Sequence, residues 1–195
     1  MIFLDMLRLA ELLVAFSRAL WYFKKSFWWK RKENGMCREK VTAYCGNGKG
    51  KTTAALGYAV QAAGQGKNVI IIQFLKGKKD EEMEFLRRLE PEVKFFSFAK
   101  SEKNFVELSE EEQKEESINI RNGFNFARKV LVTGECSLLI LDEFLGLWDN
   151  HMISEEDVAT LMNAASEETE IILTGRVMED GLRKYIGRTY EIHEE

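Results

Sequence analysis

The chain has little of what marks several large protein classes. Proline occurs once in 195 residues, at Pro91, so no proline-rich linker divides it. Cysteine occurs three times, at Cys37, Cys45 and Cys136, without a CxxC pair, and the two histidines, His151 and His193, stand far apart. That usage excludes a disulfide scaffold and leaves no legible zinc site. Cys45 and Cys136 flank predicted strands, and we expect buried free thiols in a reducing cytoplasm. No apolar run reaches the about 18 uninterrupted residues of a membrane span. Repeats and low-complexity tracts are absent.

What is present is 45% hydrophobic residues, enough to fill the core of one α/β domain with an appendage. The net charge of −4 is unevenly spread: residues 1–40 carry 9 Lys and Arg against 4 acids, and the remainder carries 19 against 28. A body this acidic is a poor general binder of nucleic acid, whose affinity rests on phosphate neutralisation.

Residues 1–35 read as an appendage to a domain spanning 36–195. Ile2 to Phe23 is apolar apart from Asp5, Arg8, Glu11 and Arg18, which share one arc of a helical wheel, so the stretch predicts an amphipathic helix. Trp21 to Lys32 then mixes aromatics with bases, as interfacial segments do. Three readings stand: Met36 is the true start, the segment anchors at a membrane surface, or it packs on the domain. Membrane contact follows only if the segment is genuine. It lacks the charge and cleavage site of a secretory signal.

The stretch that organises the rest is Val41 to Thr53. Val41-Thr42-Ala43-Tyr44 predicts a short buried strand. Cys45-Gly46-Asn47-Gly48-Lys49-Gly50 is a glycine-rich turn, and Lys51-Thr52-Thr53 opens a helix running to Ala63. A glycine-rich loop on a helix N-terminus is an anion cradle, with free N–H donors and the positive dipole end facing one ligand. Lys51 would reach terminal phosphates and the Thr52 hydroxyl would hold Mg²⁺. One position departs from the usual pattern: Cys45 stands where a leading glycine is expected.

The chain then alternates strand and helix. Asn68 to Leu75 is a continuous apolar run, the mark of a parallel strand covered on both faces, with Gln73, Lys76 and Gly77 at its ligand-side end. Asp80 predicts a helix cap, and Val93 to Phe98 a third strand. A loop, Ala99 to Leu108, carries Phe105 as its one aromatic. Ser109-Glu110-Glu111-Glu112 is a capping box for a long helix, and the acids up to Glu116 predict a solvated first turn. Leu138 to Leu141 runs into Asp142-Glu143 about 90 residues after the loop, which predicts a buried strand delivering a metal-holding carboxylate. Glu143 would be a second metal contact or a base. Ser154 caps a further helix; Glu170 to Thr174 is a strand ending at Gly175-Arg176, where Arg176 would meet phosphate. A short helix, Glu179 to Tyr185, and a strand, Thr189 to Ile192, follow. The expected fold is α/β of the P-loop NTPase-like kind, a mainly parallel sheet with helices on both faces.

Gly46 to Thr53, with Gln73-Phe74-Leu75-Lys76-Gly77, Leu141-Asp142-Glu143 and Leu173-Thr174-Gly175-Arg176, resembles the ATP:corrinoid adenosyltransferase family, whose loop also lacks the leading glycine. The likeness runs from about Lys40 to Ile192. It implies that a Co(I) corrinoid attacks the 5′ carbon of ATP and displaces triphosphate, in adenosylcobalamin synthesis or salvage. It also implies ATP with its phosphates reversed on Gly46, Asn47, Gly48, Lys49, Gly50, Lys51, Thr52, Thr53 and Arg176. Lys51 and Glu143 would be catalytic, and Mg²⁺ or Mn²⁺ would sit on Thr52, Asp142 and Glu143. A reductase would supply electrons, and homodimerisation is possible. Where the family commonly has a Phe-x-Trp pair against the corrinoid, this chain has Phe105-Val106-Glu107, and acids stand where relatives carry a basic tail. The competing readings are a P-loop ATPase or small-molecule kinase and a non-catalytic ATP- or corrinoid-binding module.

Overall fold

The computed structural model describes residues 38–76, 87–101, 103 and 105–194. The helix and aromatic-basic segment expected in residues 1–35, and the helix expected from Asp80, lie outside the described residues.

The described elements run β1 (Val41–Cys45), α1 (Lys51–Gly64), β2 (Val69–Gln73), β3 (Val93–Ser97), α2 (Glu110–Thr133), β4 (Leu138–Asp142), α3 (Phe144–Asp149), α4 (Glu155–Ala164), β5 (Glu170–Thr174), α5 (Asp180–Arg183) and β6 (Arg188–Glu191). The six strands form one sheet in the order β3-β2-β4-β5-β1-β6, and every pairing is parallel. All strand C-termini therefore meet one edge, where the loops that could hold a ligand gather.

While the edge strand β6 is exposed, both faces of the central strands β2, β4 and β5 are covered. On one, Ala55, Leu56, Ala59 and Ala62 of α1 pack on Val69, Ile71, Val93, Leu138, Ile140 and Ile172. Three of the four helix residues are alanines, so the helix approaches closely. Strand alternation sends Ile70, Ile72, Leu139 and Leu141 to the opposite face, where all four are buried. There α2 brings Phe126 edge-on to Phe96, with centroids 4.7 Å apart. A Cβ at Gly123 of α2 would fall 2.7 Å from Phe98 and 2.8 Å from Phe74, so glycine is what lets this helix seat. Each large side chain so buried contributes about 1.5–3 kcal/mol of transfer free energy. The expected α/β architecture is thus the observed one.

Two local expectations change. Glu116 is not in a solvated turn: it is 4% exposed, and both its carboxylate oxygens accept the Lys100 N–H at 3.2 Å. It ties the Ala99–Leu108 loop to α2, and Gln113 does the same by donating to the Phe105 and Leu108 carbonyls. The helix α3, which the sequence reading leaves out, forms because Phe144, Leu145 and Leu147 all bury.

Candidate active site

The loop after β1 is shaped by close backbone approach. Gly46 and Gly50 adopt φ of 108° and 106°, a region that favours glycine. A Cβ at Gly46 would lie 2.2 Å from the Ile192 carbonyl oxygen, and one at Gly48 would lie 2.7 Å from the His193 backbone. The Gly46 N–H donates to the Arg176 carbonyl at 2.8 Å and the Gly48 N–H to the Ile192 carbonyl at 2.9 Å. These bonds pin the loop to the chain after β5 and after β6. The first ladder bond of α1 is Ala54 N–H to the Gly50 carbonyl, at 2.8 Å. The amides of Lys51, Thr52 and Thr53 precede that ladder, at the positive end of the helix dipole. Lys51 Nζ curls back to donate to the Gly48 carbonyl at 2.6 Å. Asn47 and Lys49 are exposed.

Asp142 ends β4 beside Gln73, its register partner on β2. Both side chains are 1% exposed. A buried carboxylate needs donors on every side, and Asp142 has them. Its Oδ1 accepts from the Thr52 hydroxyl at 2.9 Å and the Thr174 hydroxyl at 2.6 Å. Its Oδ2 accepts from Gln73 Nε2 at 3.1 Å. Thr174 in turn accepts the Glu143 N–H at 2.9 Å, which fixes the next carboxylate. Glu143 itself sits at φ 59°.

A cation already lies among these oxygens. Lys76 Nζ donates to Thr52 Oγ1 at 3.0 Å, and lies 3.0 Å from Glu143 Oε1 and 3.6 Å from Asp142 Oδ2. Burial opposes its charge, yet the Asp142 and Glu143 carboxylates hold its pKa above the ordinary lysine value. The ammonium stands in for a small hard cation, so the oxygen set suits Mg²⁺ or Mn²⁺. Among the described residues no group of three or more His, Cys, Asp or Glu could hold a metal. A cation on Thr52, Asp142 and Glu143 would therefore share its shell with water and phosphate oxygens, as Mg²⁺ prefers.

The cluster opens on a cleft of about 650 Å³ lined by Leu75, Lys76, Phe105, Glu143, Asp149 and Arg176, among others. Phe105 and Arg176, remote in sequence, thus share one cavity with Glu143. Burial, then the nearby Glu179, pushes the Asp149 carboxyl above its ordinary value.

The family model described as ATP:corrinoid adenosyltransferase BtuR/CobO/CobP matches residues 38–195. The chain belongs to this family. It is similar to the corrinoid adenosyltransferase of Escherichia coli K12, 30% identical over 137 residues, which cover 70% of this chain and 67% of that protein. The corrinoid adenosyltransferase CobA of Salmonella typhimurium is 29% identical over 136 residues, with 70% and 67% covered. A Nostoc protein of uncharacterised function, all2391, is 31% identical over 146 residues, covering 70% of this chain but 38% of its own length.

In this ATP:corrinoid adenosyltransferase family member, the sequence-predicted residues split by position. Thr52, Asp142 and Glu143 converge, while Lys49 lies in solvent at the loop's tip, 3.9 Å from Glu194. Thr174 enters the sequence reading only within the Leu173-Thr174-Gly175-Arg176 motif, with no role of its own, and Asp149 and Asn150 do not enter it. A signal existed for Thr174: it is a hydroxyl ending an apolar strand that pairs beside the one ending in Asp142. Nothing local marks Asp149 or Asn150, which depend on where α3 seats.

Proposed function

We propose that this chain transfers the 5′-deoxyadenosyl group of ATP to the Co(I) of a corrinoid and releases triphosphate. The observation that carries the reading is the shared cleft: Lys76, whose ammonium meets Thr52 of the phosphate loop, lines the same cavity as Glu143, Arg176 and Phe105. A polyphosphate and a flat second substrate could meet there. Family membership over residues 38–195 and the relatives named above support the same reading.

In this reading the Gly46–Thr53 loop holds the triphosphate of ATP, with Lys51 on the terminal phosphates and Arg176 facing them from the β5 edge. The cobalt electron pair forms a bond to C5′, and the C5′–O5′ pair leaves with the triphosphate. Cobalt is formally oxidised from Co(I) to Co(III). Charge grows on the departing triphosphate, and this reading gives it the amides of Lys51, Thr52 and Thr53, with the Lys51 ammonium, as donors. Mg²⁺ or Mn²⁺, held by Thr52, Asp142 and Glu143, would supply further neutralisation of the triphosphate. Co(I) is itself a strong nucleophile, so Glu143 is assigned to the metal rather than to a general base. Phe105 packs against the corrinoid and helps exclude water. A reductase must supply the electrons that make Co(I).

Anaerobic turnover with reduced cobalamin and ATP tests this. We expect the Co(I) spectrum to give way to that of an alkylated cobalt with one triphosphate released per corrinoid. ADP with phosphate, or a phosphorylated acceptor, would instead indicate an ATPase or kinase, and binding without turnover a carrier module.

A further inference from the structure

Two residues of the site depart from favoured backbone. Leu75, just past β2, has φ 57° and Glu143, just past β4, has φ 59°. A side chain in the left-handed region is disfavoured unless surroundings enforce it, and such positions cluster at functional sites. Here the strain falls at the ends of two paired strands. It accompanies one contact: the residue after Leu75 is Lys76, whose Nζ lies 3.0 Å from Glu143 Oε1. The Thr52 hydroxyl spends its hydrogen on Asp142 Oδ1, so a lone pair faces the Lys76 ammonium at 3.0 Å. Asp142 Oδ2, 3.6 Å from the same nitrogen, also accepts from Gln73. The ammonium thus occupies the shell of three oxygens that the proposed function gives to the metal.

Two cations cannot share that shell, because like charges this close repel strongly in a partly buried site. The geometry points to Lys76 as the resident counter-ion of the metal site, which a divalent cation displaces and which then pairs with the triphosphate. Lys76 lines the cleft, its side chain is 35% exposed, and its four-carbon stem can turn to an anion on the neighbouring loop. Metal entry is thereby coupled to polyphosphate arrival. Without polyphosphate the displaced ammonium has no partner and the carboxylates keep it. With polyphosphate the exchange leaves every charge paired. This inference rests on the proposed function for the identity of metal and triphosphate, but its test needs no corrinoid.

The test uses the full chain, free of nucleotide, with Lys76→Met and Lys76→Gln as variants; the glutamine keeps a donor and guards against misfolding, which circular dichroism checks. Free Mn²⁺ is followed by electron paramagnetic resonance, and inorganic tripolyphosphate binding at saturating Mn²⁺ by calorimetry. Both variants are expected to bind Mn²⁺ at least about tenfold tighter than the unaltered chain. Adding Asp142→Asn to Lys76→Met should abolish that site. Tripolyphosphate at saturating Mn²⁺ should bind both variants at least about tenfold more weakly. Unchanged Mn²⁺ affinity in the folded variants, tight Mn²⁺ binding that survives Asp142→Asn, or undiminished tripolyphosphate binding would overturn the inference. A chain that meets these expectations yet never alkylates cobalt would contradict the proposed function and leave the role of Lys76 standing.

Discussion

Lys51 donates to the Gly48 carbonyl at 2.6 Å, so its ammonium is held against the backbone of the glycine-rich loop. In the proposed reaction, removing it takes away a charge matched to the one that develops on the departing triphosphate. Lys51→Ala should lower the turnover rate about 10²–10³-fold, measured as initial rate at saturating ATP with folding checked separately; an unaltered rate would remove Lys51 from the mechanism. Gly46 shows a different dependence. Its φ of 108° and the 2.2 Å approach of the Ile192 oxygen to any added Cβ leave an alanine no room without moving the β6 end. Gly46→Ala is expected to cost about 2–4 kcal/mol of stability, read from denaturant midpoints. A fully stable alanine variant would mean that this approach is not what holds the loop. At this scale the sequence was informative where chemistry and backbone demand coincide. Glycines, Lys51-Thr52 and Asp142 each leave a residue type behind. Leu75 and Glu143 did not, since a leucine or glutamate in left-handed backbone carries no sign of it.

Among elements, the helices differ in how they were announced. Ser109 forms the reciprocal box and Ser154 the cap that the sequence predicts, and Asp157 completes a second box at Ser154, because capping is local and needs no tertiary information. The short α3 had no such signal: its residues are helical because Phe144, Leu145 and Leu147 bury against the sheet, a choice made by packing. Burial likewise turned Glu116 from an expected surface acid into the anchor of the Phe105 loop. The start of β5 offers a test by pH. Glu170 accepts from Lys67 Nζ and Tyr58 Oη, both at 2.8 Å. Burial would raise its pKa, but these partners hold it below the ordinary carboxylate value. A depressed folded-state pKa stabilises above the unfolded-state value and is lost as pH falls through the folded one. Glu170→Gln should therefore be less stable than the unaltered chain at neutral pH, with the difference shrinking as the pH drops through the carboxylate range. A difference independent of pH would show that the ion pair contributes nothing.

For the whole molecule, the alternation of apolar runs and helical patterns is enough to predict six strands in a mainly parallel sheet; the sheet is wholly parallel, and its edge strand β6 is exposed throughout. Strand order, which brings Lys76, Glu143 and Arg176 to one cleft, is a tertiary outcome that no local pattern encodes. We keep residues 36–195 as the proposed extent of the domain; the family match begins close to that boundary, at residue 38. Cys45 and Cys136 are buried free thiols, and burial pushes Cys136 up to about 12, so neither is poised for chemistry at neutral pH.

The central claim is that the bond broken in ATP is the one between the sugar carbon and its oxygen. A single turnover with ATP carrying ¹³C at the 5′ position, under anaerobic conditions with reduced corrinoid, reads this directly by NMR. The account predicts that the labelled carbon moves from its phosphate-ester resonance to that of a carbon bonded to cobalt, while intact triphosphate appears in equal amount. A labelled carbon still joined to oxygen, with ADP or AMP as the product, would contradict it.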